Sequence, residues 1–398
     1  VIVEKIVLSE PLRTAIGSFG GTLKDISAVD LGTTVVKEIM RRTSISSEDV
    51  DDCIMGNILG AGQGQNPARQ ISINSGLRVE TPAITINRMC GSGLQSVVNA
   101  AQSIKSGDCG CVVAGGMESM STSPFYLRKA RWGYKMSTPS DELVDGMLHD
   151  ALWDAFNDYH MGVTAENLAE KYEISKDRQD EFAYLSQMKT KYAMENGKFT
   201  SQIVPVSVPR GKAGSIDFDS DEHPRPDVTL ERISGLKPVF RKNGTVTAAN
   251  SSGINDGAAA LIVSSDSKAE KLGLNPLASI KSYAISGVDP SIMGIGPVPA
   301  MRMALDRAGL GIDDIDLVEL NEAFAAQSLA VLSDFPIEEE KLNVNGGAIA
   351  LGHPVGATGA VLLVKLLHEF QNIRPGGYGM VSLCMGGGMG IAMIVEKM

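Results

Sequence analysis

The sequence predicts an α/β protein built from two similar halves with an insertion between them. Three observations lead there. Short apolar runs of strand length alternate with runs of helical period near both ends of the chain. The two ends present their elements in the same order. The middle has another texture, in which charges, aromatics and prolines collect, as in YLRKARWGYK (Tyr126 to Lys135), ALWDAFNDYHMG (Ala151 to Gly162) and DSDEHPRPD (Asp219 to Asp227). The resulting division is 1–121 for the first half, completed by about 250–275, then 122–249 for the insertion and 276–398 for the second half.

The repeat rests on three pairs of segments. CIMGNILGAGQGQ (Cys53 to Gln65) parallels LVELNEAFAAQ (Leu317 to Gln327); each is an apolar strand that meets an asparagine, Asn57 or Asn321. AITINRMCGSG (Ala83 to Gly93) parallels NVNGGAIALGHPVGATG (Asn343 to Gly359), each read as strand, glycine-containing loop and apolar helix. CVVAGGMES (Cys111 to Ser119) parallels MVSLCMGGGMG (Met380 to Gly390), a buried strand that breaks into glycines. Asn57 precedes Cys90 by 33 positions and Asn321 precedes His353 by 32. Chance likeness among glycine-rich loops is the alternative. A duplicated half would place reactive residues on equivalent loops that face one another across a pseudo-symmetric junction. In the insertion, TAENLAEKYEIS predicts a helix from Thr164, with Asn167, Leu168 and Tyr172 at helical intervals. The insertion reads as a cover over the active-site face.

Composition removes several function classes. The net charge of −11 argues against nucleic acid, whose phosphates attract basic surfaces, but a few local cations can still hold a small anion. No apolar stretch approaches the roughly 18–20 residues that span a bilayer. Glu4 and Glu10 interrupt the apolar start, unlike a secretory leader, and the closing EKM is no targeting address. The five cysteines, Cys53, Cys90, Cys109, Cys111 and Cys384, are odd in number and sparse, which suits a reduced, cytoplasmic protein. They include no CxxC, and no histidine pair has ligand spacing, so no metal is expected.

Four residues carry candidate chemistry. Cys90 precedes a helix that should bury Leu94, Val97, Val98, Ala101 and Ile104 and stop at Gly107. Orphan N–H groups and the helix dipole there favour a thiolate, so the thiol pKa should fall. The other reading is an inert buried cysteine. His353, between Gly352 and Pro354, sits on a tight loop before another apolar helix. Alone it reads as structural; its equivalence to Cys90 makes it a candidate base. An apolar strand delivers Cys384 to three glycines, whose peptide N–H groups suit an oxyanion hole; a strand-end core cysteine is the alternative. Asn321 is either a helix cap or the group that orients the histidine or fixes a water.

Taken together, NRMCGSG, NEAF, GHPVGATG and CMGGG resemble the signatures of the thiolase family, in family order from Cys90 to Gly390. The likeness extends to RTAIGSFGG, GQNPARQ, HMGVTAEN and NGTVTAAN, and so covers essentially the whole chain. HMGVTAEN, ARWGY and NEAFAAQ resemble the short-chain biosynthetic branch. The resemblance implies two halves stacked in five layers, αβαβα, plus a loop domain, as a homotetramer whose tetramerisation loop would include ARWGYKM (Ala130 to Met136). It implies reversible Claisen condensation of two acetyl-CoA to acetoacetyl-CoA and CoA, with coenzyme A as substrate and no cofactor.

It also implies roles. Cys90 would be the nucleophile, His353 its base, and Cys384 the base for the second acetyl-CoA. The N–H groups of Cys90 and Gly386 would serve one oxyanion, and His353 with a water on Asn321 the other. Ser252 would hold the pantetheine arm and Arg225 would lie near the nucleotide. Leu152, His160, Met161, Phe240, Ala248 and Phe324 would shape the tunnel and acyl pocket, with Met161 limiting acyl length. The chain departs from the family at Ala249, commonly Gly, and at Thr358, frequently Ser, which keeps the hydroxyl. The rival readings are a decarboxylating ketoacyl synthase, an HMG-CoA synthase, a degradative thiolase and a silent acyl-CoA binder. The second cysteine in CMGGG speaks against the two synthases.

Overall fold

The structure is a computed structural model that describes residues 4–134 and 142–398. Lys135 and Met136, which end the ARWGYKM segment, lie outside the described residues. The first half contributes strands β1 (Ile6–Thr14), β2 (Asp52–Gly56), β3 (Ala83–Ile86), β4 (Cys111–Ser119) and β5 (Asn255–Ser265). The second contributes β6 (Pro276–Gly287), β7 (Ile315–Leu320), β8 (Tyr378–Met385) and β9 (Met389–Lys397). These strands follow one hydrogen-bonded path, β7-β8-β9-β6-β1-β5-β4-β2-β3.

The pairings repeat between the halves. In the first, β2 runs parallel to β4, β4 antiparallel to β5, and β5 antiparallel to β1. In the second, β7 runs parallel to β8, β8 antiparallel to β9, and β9 antiparallel to β6. Shared order and shared strand direction exclude chance likeness of loops. The halves abut where β1 pairs antiparallel with β6. One repeat is imperfect. β3 pairs with β2 over four residues, whereas the expected strand at Asn343 shrinks to a single bridge between Val318 and Leu342. The Asn343 side chain takes over the ladder there, since its Oδ1 accepts from Leu320 N (2.9 Å) and its Nδ2 donates to Leu320 O (2.9 Å).

The helices used below are α1 (Ala28–Thr43), α2 (Ser92–Ser106), α3 (Met161–Lys171), α4 (Lys176–Glu195), α5 (Pro297–Ala308), α6 (Ala325–Asp334) and α7 (Thr358–Glu369). α2 and α7 pack on each other between the two halves of the sheet, while α1 and α5 cover the outer faces. That stack is the five-layer αβαβα arrangement. α7 is buried from Thr358 to Leu367, and its one buried charge, Lys365, donates to buried Glu319 Oε2 (2.6 Å). α2 buries Leu94, Val97, Val98, Ala101 and Ile104 and ends at Gly107 in the left-handed region (φ 87°), as its spacing predicts. The two inner helices cross through glycines. A Cβ on Gly93 would lie 2.8 Å from Ala360 N, and one on Gly359 would lie 2.5 Å from Leu94 N. This close approach brings both N-termini, with Cys90 and His353 just ahead of them, to the junction of the halves.

In the insertion, α3 starts at Met161 rather than at Thr164, because His160 Nδ1 accepts from Gly162 N (3.0 Å) and caps the helix there. α4 carries no clear apolar stripe. Its buried face includes Gln179, Asp180, Ser186, Gln187 and Thr190, so apolar spacing does not reveal it. The insertion is anchored to the first half. Ile203–Val204 pairs parallel with the end of β1, and buried Arg13 donates to both carboxylate oxygens of Asp221 (2.7 and 2.8 Å). Among the described residues, no helix is long and apolar enough to cross a membrane.

Candidate active site

Side chains of its own segment lock the turn that presents Cys90. Asn87 Oδ1 accepts from Met89 N (2.9 Å); Ser92 Oγ accepts from Arg88 N (2.8 Å) and donates to Met89 O (2.7 Å). Met89 is held at φ 47°, a left-handed conformation that a bulky side chain rarely adopts. The strained turn lifts Cys90 out of the strand direction just ahead of α2. The backbone N–H groups of Gly386 and of Cys90 itself favour a negative charge on the Cys90 sulfur.

The expected fall in the Cys90 pKa does not occur. Burial pushes the thiol up to about 11, against those two N–H groups, and the Glu118 charge adds to the rise. Desolvation outweighs the helix N-terminus because the sulfur is densely surrounded, although it keeps a partial opening to the cavity. A thiol in that range carries little thiolate at neutral pH. Inactivation by iodoacetamide should therefore rise by about tenfold per pH unit from pH 7 to pH 9. A plateau below pH 8 in the pseudo-first-order rate would instead mean a thiolate–imidazolium pair at rest.

His353 is set by three contacts. Its N donates to Asn255 Oδ1 (2.8 Å) and its Nδ1 lies 2.6 Å from Thr358 Oγ1. Thr358 Oγ1 also donates to Pro354 O (2.9 Å). A hydroxyl has one proton, so it must accept from His353 Nδ1–H, which leaves the lone pair on Nε2. Nε2 faces Asn321 Nδ2 at 3.5 Å. Burial pushes the ring pKa down to about 4, so the imidazole is neutral at pH 7. The site thus rests with a neutral thiol and a base of fixed tautomer on one cavity.

Asn321 is not a helix cap, since α6 begins only after Phe324. Its N donates to Ser382 O (2.9 Å), and its buried Oδ1 has no hydrogen-bond partner among the described residues. Cys384 pairs with Gly390 one position before the ladder of β8 and β9 closes at Met385 and Met389, and three and four residues before Gly387 and Gly388 at φ 82° and 80°. It packs in the apolar cluster of Met161, Met293, Ala323 and Phe324. Burial, and then the charge of Cys90, raise its thiol pKa well above the usual range.

Cys90, His353 and Gly386 line one cavity of about 500 Å³. The eight residues expected to bind substrate line it as well: Leu152, His160, Met161, Arg225, Phe240, Ala248, Ser252 and Phe324. Asn321 and Cys384 lie behind this wall, both almost fully buried. Phe240 stacks on His160 (4.7 Å between centroids, 20° between planes) and meets Phe324 edge-on (6.0 Å, 88°), which makes a narrow apolar slot. A second cavity of about 480 Å³ shares His223, Arg225 and Ala248 with the first.

Several residues of the site escape sequence reasoning. His223 lines both cavities, and burial pushes its ring pKa down to about 4. Asn255 and Thr358 hold His353 from β5 and α7. Glu118 is buried at the end of β4, where desolvation raises its pKa to about 7. Only Thr358 left a trace in the sequence, as a hydroxyl five residues after the histidine.

Comparison with known proteins follows the same outline. At 53% identity over 396 residues, the chain is similar to the acetyl-CoA acetyltransferase of Syntrophomonas wolfei, with 99% of each chain covered. Its course matches the crystal structure of the Bacillus anthracis acetyl-CoA acetyltransferase with a TM-score of 0.95 at 42% identity, covering 100% of this chain and 99% of that one. It matches human mitochondrial 3-ketoacyl-CoA thiolase in complex with CoA with a TM-score of 0.94 at 43% identity, again covering 100% and 99%. The family model for the thiolase N-terminal domain matches residues 6–267, and that for the thiolase C-terminal domain matches residues 274–397. Matched through both halves and the insertion alike, the chain belongs to the thiolase family.

Proposed function

We propose that the protein is an acetyl-CoA C-acetyltransferase, which condenses two acetyl-CoA into acetoacetyl-CoA and CoA, or runs that reaction backwards, through an acetyl-cysteine. The observation that carries this reading is the neutral Cys90 thiol on the same cavity as a histidine whose lone pair is fixed on Nε2. His353 Nε2 takes the Cys90 proton and the thiolate attacks the thioester carbonyl. The oxyanion forms where the Cys90 and Gly386 N–H groups converge. Burial keeps Cys384 protonated, so it can hand its proton to the departing CoA sulfur. The resulting Cys384 thiolate then takes a proton from the methyl carbon of the second acetyl-CoA. The enolate oxygen meets the imidazolium Nε2–H and a water held by Asn321, and the enolate carbon attacks the acetyl-Cys90 carbonyl. Cys90 leaves as thiolate and recovers its proton from His353. The protons balance without a cofactor; coenzyme A is substrate and product.

Phe240, Phe324 and Met161 support a short acyl group, because they narrow the cavity that Cys90 also lines. Ser252 suits the pantetheine arm, and Arg225, where the two cavities join, suits the nucleotide. Exposed Phe125, Leu127 and Trp132 support a homotetramer built through this loop. Cytoplasmic residence is part of the same reading, supported by the sparse free cysteines.

The test is thiolysis by CoA of acetoacetyl-CoA against a long-chain 3-ketoacyl-CoA. A kcat/KM ratio of about 10² or more for acetoacetyl-CoA is expected. Comparable rates would make the enzyme a degradative thiolase with the same chemistry, and inactivity on both would remove the reading. Thr358→Val should lower kcat by about 10²-fold with KM little changed, because the ring loses the acceptor that fixes its tautomer. Thr358→Ser should stay near wild type; equal losses in both variants would mean that packing, not the hydroxyl, matters.

A further inference from the structure

The carboxylate of Glu118 is fully buried, and hydrogen bonds from N–H groups surround it. Its Oε1 accepts from Asn57 Nδ2 (2.7 Å) and Leu59 N (3.2 Å), while Oε2 accepts from Ile58 N (3.0 Å) and Gly356 N (2.9 Å). Three of these donors belong to the loop that follows β2 in the first half. The fourth belongs to the loop of the second half that carries His353, three residues earlier. Ile58 and Leu59 pack with Val355 and Met120, and Met89 and Cys90 rest against that cluster. The contact with the second half is tight: a Cβ on Gly356 would lie 2.6 Å from Oε2.

We propose that Glu118 is a positioning residue that sets the placement of Cys90 relative to His353 by holding the loops of both halves on one carboxylate. The inference rests on the proposed acetyl-cysteine reaction. Burying a carboxylate is costly unless its oxygens are fully satisfied, and here the donors come from both sides of the site. Glutamine has the same shape but cannot replace it. In either orientation its NH₂ would face two donors, Asn57 and Leu59 on one side or Ile58 and Gly356 on the other. One loop must then move, and a displacement of about 1 Å is enough to cost roughly 10² in rate. Glu118 does not line the cavity, so substrate affinity should be spared.

The experiment is acetoacetyl-CoA thiolysis by wild type, Glu118→Gln and Glu118→Asp in parallel. Glu118→Gln is expected to lose about 10²-fold in kcat with KM changed less than about threefold. Glu118→Asp, which keeps the charge, should recover part of that loss. An active wild type with an unimpaired Glu118→Gln would overturn the proposal. So would kcat and KM changing by equal factors with no recovery in Glu118→Asp, since that is general loosening. An inactive wild type would remove the parent reading instead. Should Glu118→Gln fail to fold, Asn57→Ala serves, because it removes one donor and leaves the carboxylate. A loss of about tenfold in kcat at constant KM supports the assignment, and an unchanged kcat overturns it.

Discussion

Replacing Cys90 by alanine is expected to lower turnover by about 10⁴-fold or more in either direction of the reaction. No other side chain can take its place as nucleophile. Cys384, the other thiol of the site, is almost fully buried among apolar residues that line the cavity, and burial raises its pKa well above that of an ordinary thiol, further than that of Cys90. His353 is neutral, and Thr358 holds its ring. The variant should still fold, because Cys90 is only partly buried and the turn around it is locked by Asn87 and Ser92 rather than by the thiol. Intact mass after incubation with acetyl-CoA provides the second readout. The wild-type chain should gain one acetyl group and Cys90→Ala none. Retention of more than a hundredth of the wild-type rate, or acetylation of the variant, would place the nucleophile elsewhere.

Cys384→Ser should separate the two half-reactions. Acetyl transfer to Cys90 ought to survive, since the CoA thiolate is a tolerable leaving group without a proton donor. Condensation needs a proton taken from carbon, and a serine hydroxyl is far too weak a base for that. The loss in overall rate is expected at about 10³-fold or more, within the range of general-base catalysis. Rapid-quench measurement with labelled acetyl-CoA should show an acetyl-enzyme that forms and then persists. Cys384→Ser that condenses at the wild-type rate would end the assignment of Cys384 as base. A variant that fails to acetylate would make the proton that Cys384 gives to the departing CoA sulfur essential to the first half-reaction.

The effects behind these two expectations were unequally visible in the sequence. Cys90, His353 and Cys384 could be singled out because each stands at a break between an apolar run and a glycine-rich loop, a local pattern. The repeat of those breaks at matched spacing placed them on equivalent loops. The direction of the Cys90 pKa shift was not visible. A helix N-terminus is written in the sequence, but the burial that outweighs it is made only by folding, which also brings up the remote Glu118 charge that adds to the rise. The same holds for α4, whose buried face is largely polar because its partners are other polar groups. Ser186, for example, donates to buried Glu322 (2.6 Å) and Asp180 accepts from Asn250 (2.9 Å).

The sequence by itself determined the alternation of strands and helices, the two similar halves, the insertion and the candidates for reactive side chains, because period, glycine placement and turn chemistry are local properties of a chain. Tertiary structure alone decided what those side chains can do. The lone pair of His353 sits on Nε2 because Thr358 hands its proton to Pro354. Asn321 faces the histidine instead of capping a helix. Cys90 stays a neutral thiol, and Glu118 holds loops from both halves. Each of these depends on desolvation or on hydrogen-bond partners that come from distant parts of the chain, and only folding brings those groups together.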